Sequence, residues 1–108
     1  MKKLIFLFTG TSLLNSCSKA PESCFSYSPA TISAGSIVTF NPNCSKNASS
    51  FKWNFGDNTK DTTLYNNNLV THIYKTAGNY TVKLSVGGKD GVTLKKGKLE
   101  KSLTIFVH

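Results

Sequence analysis

Few side chains in this 108-residue chain could do chemistry, and their spacing argues against a reaction centre. The two histidines are His72 and His108. His72 falls at a strand end, where a hydrogen-bonded structural role is expected, and His108 is terminal. Of the five carboxylates, Asp57 and Asp61 lie nearest one another. A hydrolytic pair would have to face across a cleft, and their placement in a turn and a loop points to solvation instead. No Gly-x-Ser-x-Gly elbow, glycine-rich phosphate loop or His-Glu-x-x-His stretch occurs. Metal-ligand spacing is absent too. The expectation is a non-enzyme with no metal and no cofactor.

The formal charge is +8, from thirteen basic and five acidic residues, and every basic residue is Lys. Lys is a hydrated point charge, poorly suited to bidentate recognition of phosphate. Readers of nucleic acid normally use Arg, so no nucleic-acid partner is expected. The densest run is Lys95, Lys96, Lys98 and Lys101. Lysines beside a last strand discourage edge-to-edge pairing. A contact with an anionic glycan or acidic partner is the sharper reading of Lys95, Lys96 and Lys98.

Residues 1–16 combine Lys2 and Lys3 with an apolar stretch from Leu4 to Leu14. A membrane-spanning helix needs about 20 apolar residues; this stretch is too short and suits a signal peptide. Leu14-Asn15-Ser16-Cys17 resembles the lipobox of bacterial lipoproteins. The resemblance implies cleavage before Cys17 and attachment of diacylglycerol and a further acyl chain, such as palmitate, to Cys17. Each buried methylene contributes about 0.8 kcal/mol, so two or three chains anchor stably. Residues 17–23 would then be a tether and 24–108 the domain. The implied location is exported and membrane-anchored, at the periplasmic or cell-surface face of a bacterial outer membrane. With Cys17 lipidated, Cys24 and Cys44 remain, an even pair in an exported chain. They centre on the Ala34-Gly35 turn signal, so a hairpin there would set them face to face. Closing that loop contributes about 3 kcal/mol in the chain-entropy model.

The elements that must carry these residues read as strands. Phe25/Tyr27, Val38/Phe40, Phe51/Trp53/Phe55, Leu69 to Tyr74, Tyr80/Val82/Leu84/Val86 and Leu103/Ile105/Val107 each show strand patterning. Asp61 to Asn68 reads as a loop or short edge strand, and Val92 and Leu94 as a protrusion. Seven short strands with turns about every ten residues predict an all-β, immunoglobulin-like sandwich of two antiparallel sheets.

Trp53-Asn54-Phe55-Gly56-Asp57 resembles the W-D-F-G-D signature of polycystic kidney disease (PKD) domains. Val38-Thr39-Phe40, His72-Ile73-Tyr74 and Gly78-Asn79-Tyr80-Thr81-Val82-Lys83-Leu84 resemble further motifs of that family, in the right order, so the likeness covers residues 25 to 107. Asn54 departs from the usual Asp, and Asn58 from a frequent Gly. Some relatives hold calcium near this turn, and losing a carboxylate weakens such a site. A structural role for Trp53, Phe55, Gly56, Asp57, His72, Tyr74, Gly78 and Tyr80 accounts for the signature. The resemblance implies a non-catalytic module that binds a surface glycan or protein, or a structural spacer or subunit of an envelope assembly. Tyr65 and Phe106 are the aromatics available for a glycan contact. Asp61-Thr62-Thr63 is similar to a bacterial O-glycosylation acceptor.

Overall fold

A computed structural model describes residues 20–88 and 99–108. The seven strands are β1 (Ser26–Ser28), β2 (Ile37–Asn41), β3 (Ser50–Asn54), β4 (Thr62–Leu64), β5 (Val70–Ile73), β6 (Gly78–Gly87) and β7 (Glu100–Val107). They form two antiparallel sheets, β1-β2-β5 and β4-β3-β6-β7. The sandwich read from the alternation is therefore present. Asp61–Asn68 contributes a three-residue edge strand followed by a loop. Val92 and Leu94 lie outside the described residues.

Period-2 patterning decides which side chains meet between the sheets. Phe51 and Trp53 of β3, with Phe55 just beyond it, face inward, as do Val82, Leu84 and Val86 of β6 and Ile105 and Val107 of β7. The other sheet supplies Val38 and Phe40 from β2. Trp53 is fully buried at the centre, with Phe25 at 5.1 Å edge-on and Phe40 at 5.6 Å. Aromatic pairs at such separations add about 0.5–1.5 kcal/mol each beyond area burial. The Trp53 indole nitrogen is the one buried side-chain polar atom without a hydrogen-bond partner among the described residues.

The segment between β1 and β2 is not the tight hairpin expected at Ala34-Gly35. After a cis Ser28–Pro29 bond the chain changes sheets. Ile32 is buried and makes a parallel bridge to Val107 on β7. His108 N–H donates to the Ile32 carbonyl and Ala34 N–H to the His108 carbonyl, both at 2.9 Å. Gly35 N–H donates to the Tyr74 carbonyl at 2.8 Å. The crossing gives an otherwise exposed stretch of backbone its hydrogen bonds and ties the first strand to both sheets.

The Cys24–Cys44 disulfide forms, with Cα atoms 5.2 Å apart. Its expected register is off by one residue: Ser26 faces Asn41, so the same ladder would set Cys24 against Asn43. A turn at Pro42, where Ser45 N–H donates to the Pro42 carbonyl, adds one residue to the second strand's side. The Glu22–Lys46 bridge then resumes in the register that places Cys24 opposite Cys44.

Candidate functional site

Strand direction assigns every loop to one of two ends. At one end lie the Ser50–Gly87 pair, the Val86–Leu99 hydrogen bond and the loop from Tyr65 to Leu69. The chain enters here too: Asn47 Nδ2 donates to the Ala20 carbonyl, Pro21 is buried, and Ser23 Oγ donates to the Leu84 carbonyl. We call it the tether end. Residues 20–23 are thus bonded to the domain. Cys17 lies outside the described residues. So do Lys95, Lys96 and Lys98, although the flanking Gly88 and Leu99 open at this end.

The far end carries the family signature and the densest polar network. β3 delivers Phe55 to a turn in which Gly56 (φ +79°) and Asn58 (φ +68°) are left-handed. A Cβ at Gly56 would overlap the Thr81 carbonyl oxygen, so glycine is required there for both space and dihedral. Asn58 tolerates its conformation, which explains an Asn where Gly is frequent. Asp57 Oδ1 accepts from Thr59 Oγ1 at 2.6 Å and from Thr59 N–H at 3.3 Å. Asp57 Oδ2 lies 2.7 Å from His72 Nε2. The His72 ring stacks on Phe55 at 4.1 Å and meets Tyr74 edge-on at 4.7 Å.

Asp57 is therefore not the solvated carboxylate expected, since its side chain is 16% exposed. Burial pushes its pKa up, but hydrogen bonds from Thr59 and His72 and the His72 charge outweigh that, and the net direction is down. Tyr74 is buried and donates its hydroxyl to the Phe55 carbonyl at 2.8 Å. Burial, then the charges of Asp57 and Tyr80, drive its pKa well up, so it remains a donor. Tyr80 donates to the Thr76 carbonyl at 2.8 Å and packs on Tyr74 at 4.4 Å. Gly78 opens β6 beside the Tyr80 ring. Asp57, His72, Tyr74 and Tyr80 are thus committed to holding the loops together. His72 bonds to the Asp57 carboxylate while its ring packs against Phe55 and Tyr74, so the pair fixes the position of the turn.

Asn54 shows why Asp is dispensable here. Its Oδ1 accepts from Gly56 N–H and its Nδ2 donates to Asp61 Oδ1, each at 2.9 Å. A carboxylate could not donate and would face Asp61 directly. Lys52 completes the cluster 3.6 Å from Asp61 Oδ2. No group of three or more His, Cys, Asp or Glu poised for a metal occurs among the described residues. Thr62 pairs with Trp53, shares its inward direction and is partly buried, whereas Thr63 is exposed.

Tyr65 and Phe106 are both exposed, but the structure does not bring them together. Tyr65 follows edge strand β4 at the tether end; Phe106 lies on the opposite edge strand, β7, beside Asn79. Sequence reasoning missed a second exposed set, Ile37 and Ile73, which are direct cross-strand partners on the outer face of the three-stranded sheet. The inward positions Val38 and His72 in the same strands could have exposed them, because alternate residues must point out. Thr59 was also missed; Asp-x-Thr spacing is the available signal.

Two PKD domains share the fold: PKD1 of Vibrio anguillarum Epp (24% identity, TM-score 0.59, 82% of this chain and 94% of that one) and PKD1 of the Vibrio cholerae metalloprotease PrtV (25%, 0.59, 82% and 98%). A structure of carbohydrate-binding modules of the β-sandwich superfamily, described as promiscuous in specificity, aligns at 29% identity and TM-score 0.69 over 82% of this chain. The alignment takes in 34% of that structure's length. No curated protein sequence matches the chain. The PKD domain family matches residues 18–102. With the signature turn, the two-sheet order and this match in agreement, the chain belongs to the PKD domain family.

Proposed function

We propose that the chain is a lipid-anchored cell-envelope protein whose PKD domain is a non-catalytic binding module for a surface glycan or another envelope protein. The observation that carries this reading is the full commitment of the reactive side chains. Asp57, His72, Tyr74 and Thr59 hold one another, which leaves recognition to exposed groups on a rigid sandwich. The Cys24–Cys44 disulfide fits an oxidising compartment. Because it uses two of the three cysteines, Cys17 is left to the lipid. The likeness to a carbohydrate-binding structure favours a glycan, with Phe106 as the aromatic contact.

Intact mass of the protein from its native membrane tests the anchor. Residues 17–108 plus acyl chains, two hydrogens lighter than the reduced form, is the expected result; an unacylated chain cut elsewhere refutes the anchor. A glycan array with the Phe106→Ala variant tests the ligand, with Tyr65→Ala beside it as a control. Binding that survives the Phe106 change removes the aromatic contact. The exposed Ile37–Ile73 pair favours a second reading, a subunit of a larger envelope assembly.

A further inference from the structure

The tether end holds a pair of side chains that neither the fold nor the signature explains. Tyr65 is 78% exposed and Leu69 55% exposed, at the two ends of one short loop whose middle is Asn66-Asn67-Asn68. They are not strand residues, and neither belongs to the buried core or to the hydrophobics packed against it. The chain's first docked residue, Ala20, is at the same end.

The length of chain beyond Ala20 decides what must be near this loop. From Cys17 to Ala20 is three peptide steps, and an extended chain spans at most about 3.6 Å per residue. The domain therefore lies no more than about 11 Å from the Cys17 backbone. Residues 20–24 add no slack, because the Glu22–Lys46 bridge and the disulfide pin them. A lipid on Cys17 would hold that backbone at the headgroup level. The tether end is then held close to the bilayer surface.

We infer that the loop from Tyr65 to Leu69 is a membrane seat, in which Tyr65 and Leu69 enter the headgroup region at the same end of the sandwich as the lipid anchor. Tyrosine suits that depth because its ring is apolar and its hydroxyl stays hydrated. Leu69 adds apolar burial, and the asparagines between them can hydrogen-bond to headgroups. This rests on the anchoring proposed above and deepens it. It also divides the two exposed aromatics. Tyr65 faces lipid, whereas Phe106 is carried up β7, about six strand residues or roughly 20 Å beyond Glu100, toward a partner.

The test uses the acylated chain in vesicles of phosphatidylethanolamine and phosphatidylglycerol with bromine on the upper acyl chain. Two variants are compared, Tyr65→Trp and Phe106→Trp, each keeping the buried Trp53 as a common background. The added indole at position 65 should lose at least half its emission relative to unbrominated vesicles, and the one at 106 should be nearly unchanged. Acylated protein that floats with the vesicles but shows equal quenching at both positions, or none at 65, overturns the seat and leaves the anchor standing. A chain with no acyl mass that does not float overturns the anchor and the seat together.

Discussion

The two ends of the sandwich are held by different chemistry. At the tether end the chain is pinned covalently by Cys24–Cys44, with the Glu22–Lys46 bridge and a hydroxyl bond from Ser23 around it. At the far end no covalent link exists among the described residues, and Asp57, Thr59, His72, Tyr74 and Tyr80 do the work through hydrogen bonds and ring contacts. One end should answer to redox conditions and the other to acid. A small domain with a modest core has reason to reinforce both.

Reduction should separate them most clearly. Opening a disulfide of sequence separation 20 should lower unfolding stability by about 3 kcal/mol. In hydrogen exchange, protection should fall first at residues 20–24 and 44–46. If the amides of the 55–60 turn loosen equally, the ends are not independent. Next in size is Tyr74→Phe, which strands the buried Phe55 carbonyl and should cost about 1–3 kcal/mol in urea unfolding. An unchanged midpoint would mean that the far end rests on packing alone.

The smallest effect is acid sensitivity. The folded-state pKa of Asp57 lies below its ordinary 3.8. The unfolded chain therefore takes up the proton more readily, and the stability that Asp57 contributes is present above about pH 4 and lost as pH falls through the folded value. Asp57→Asn should be less stable than the parent at pH 6, with the gap closing toward pH 2. A gap that stays constant with pH would assign Asp57 a purely steric role.

Much of the sheet structure was legible because buried strands alternate. Trp53, Phe55, Val82, Leu84, Ile105 and Val107 all face inward as their spacing requires. The polar joints were not legible, because they depend on which loops meet. Asp57 reads as solvated until His72, fifteen residues on, is placed against it. Ile32 carries no periodic signal, so its bridge to Val107 could not be anticipated. The cysteine pair was found through a symmetry that is off by one, since a turn at Pro42 supplies the missing residue. Tyr65 and Phe106 were legible as exposed aromatics, but only the strand order reveals that they occupy opposite edges.

The disulfide also fixes how a pull on this molecule would travel. Tension arriving along the chain at Cys24 passes through sulfur to Cys44, and the loop closed between them carries no load. β1 and β2 lie within that loop, so they stay slack while the strain moves on toward β3. A partner dragging on β7 would then work against the long β6–β7 and β3–β6 ladders, the broadest pairings in the fold. Reduction would remove the bypass and leave the three-residue β1 as the first element to peel.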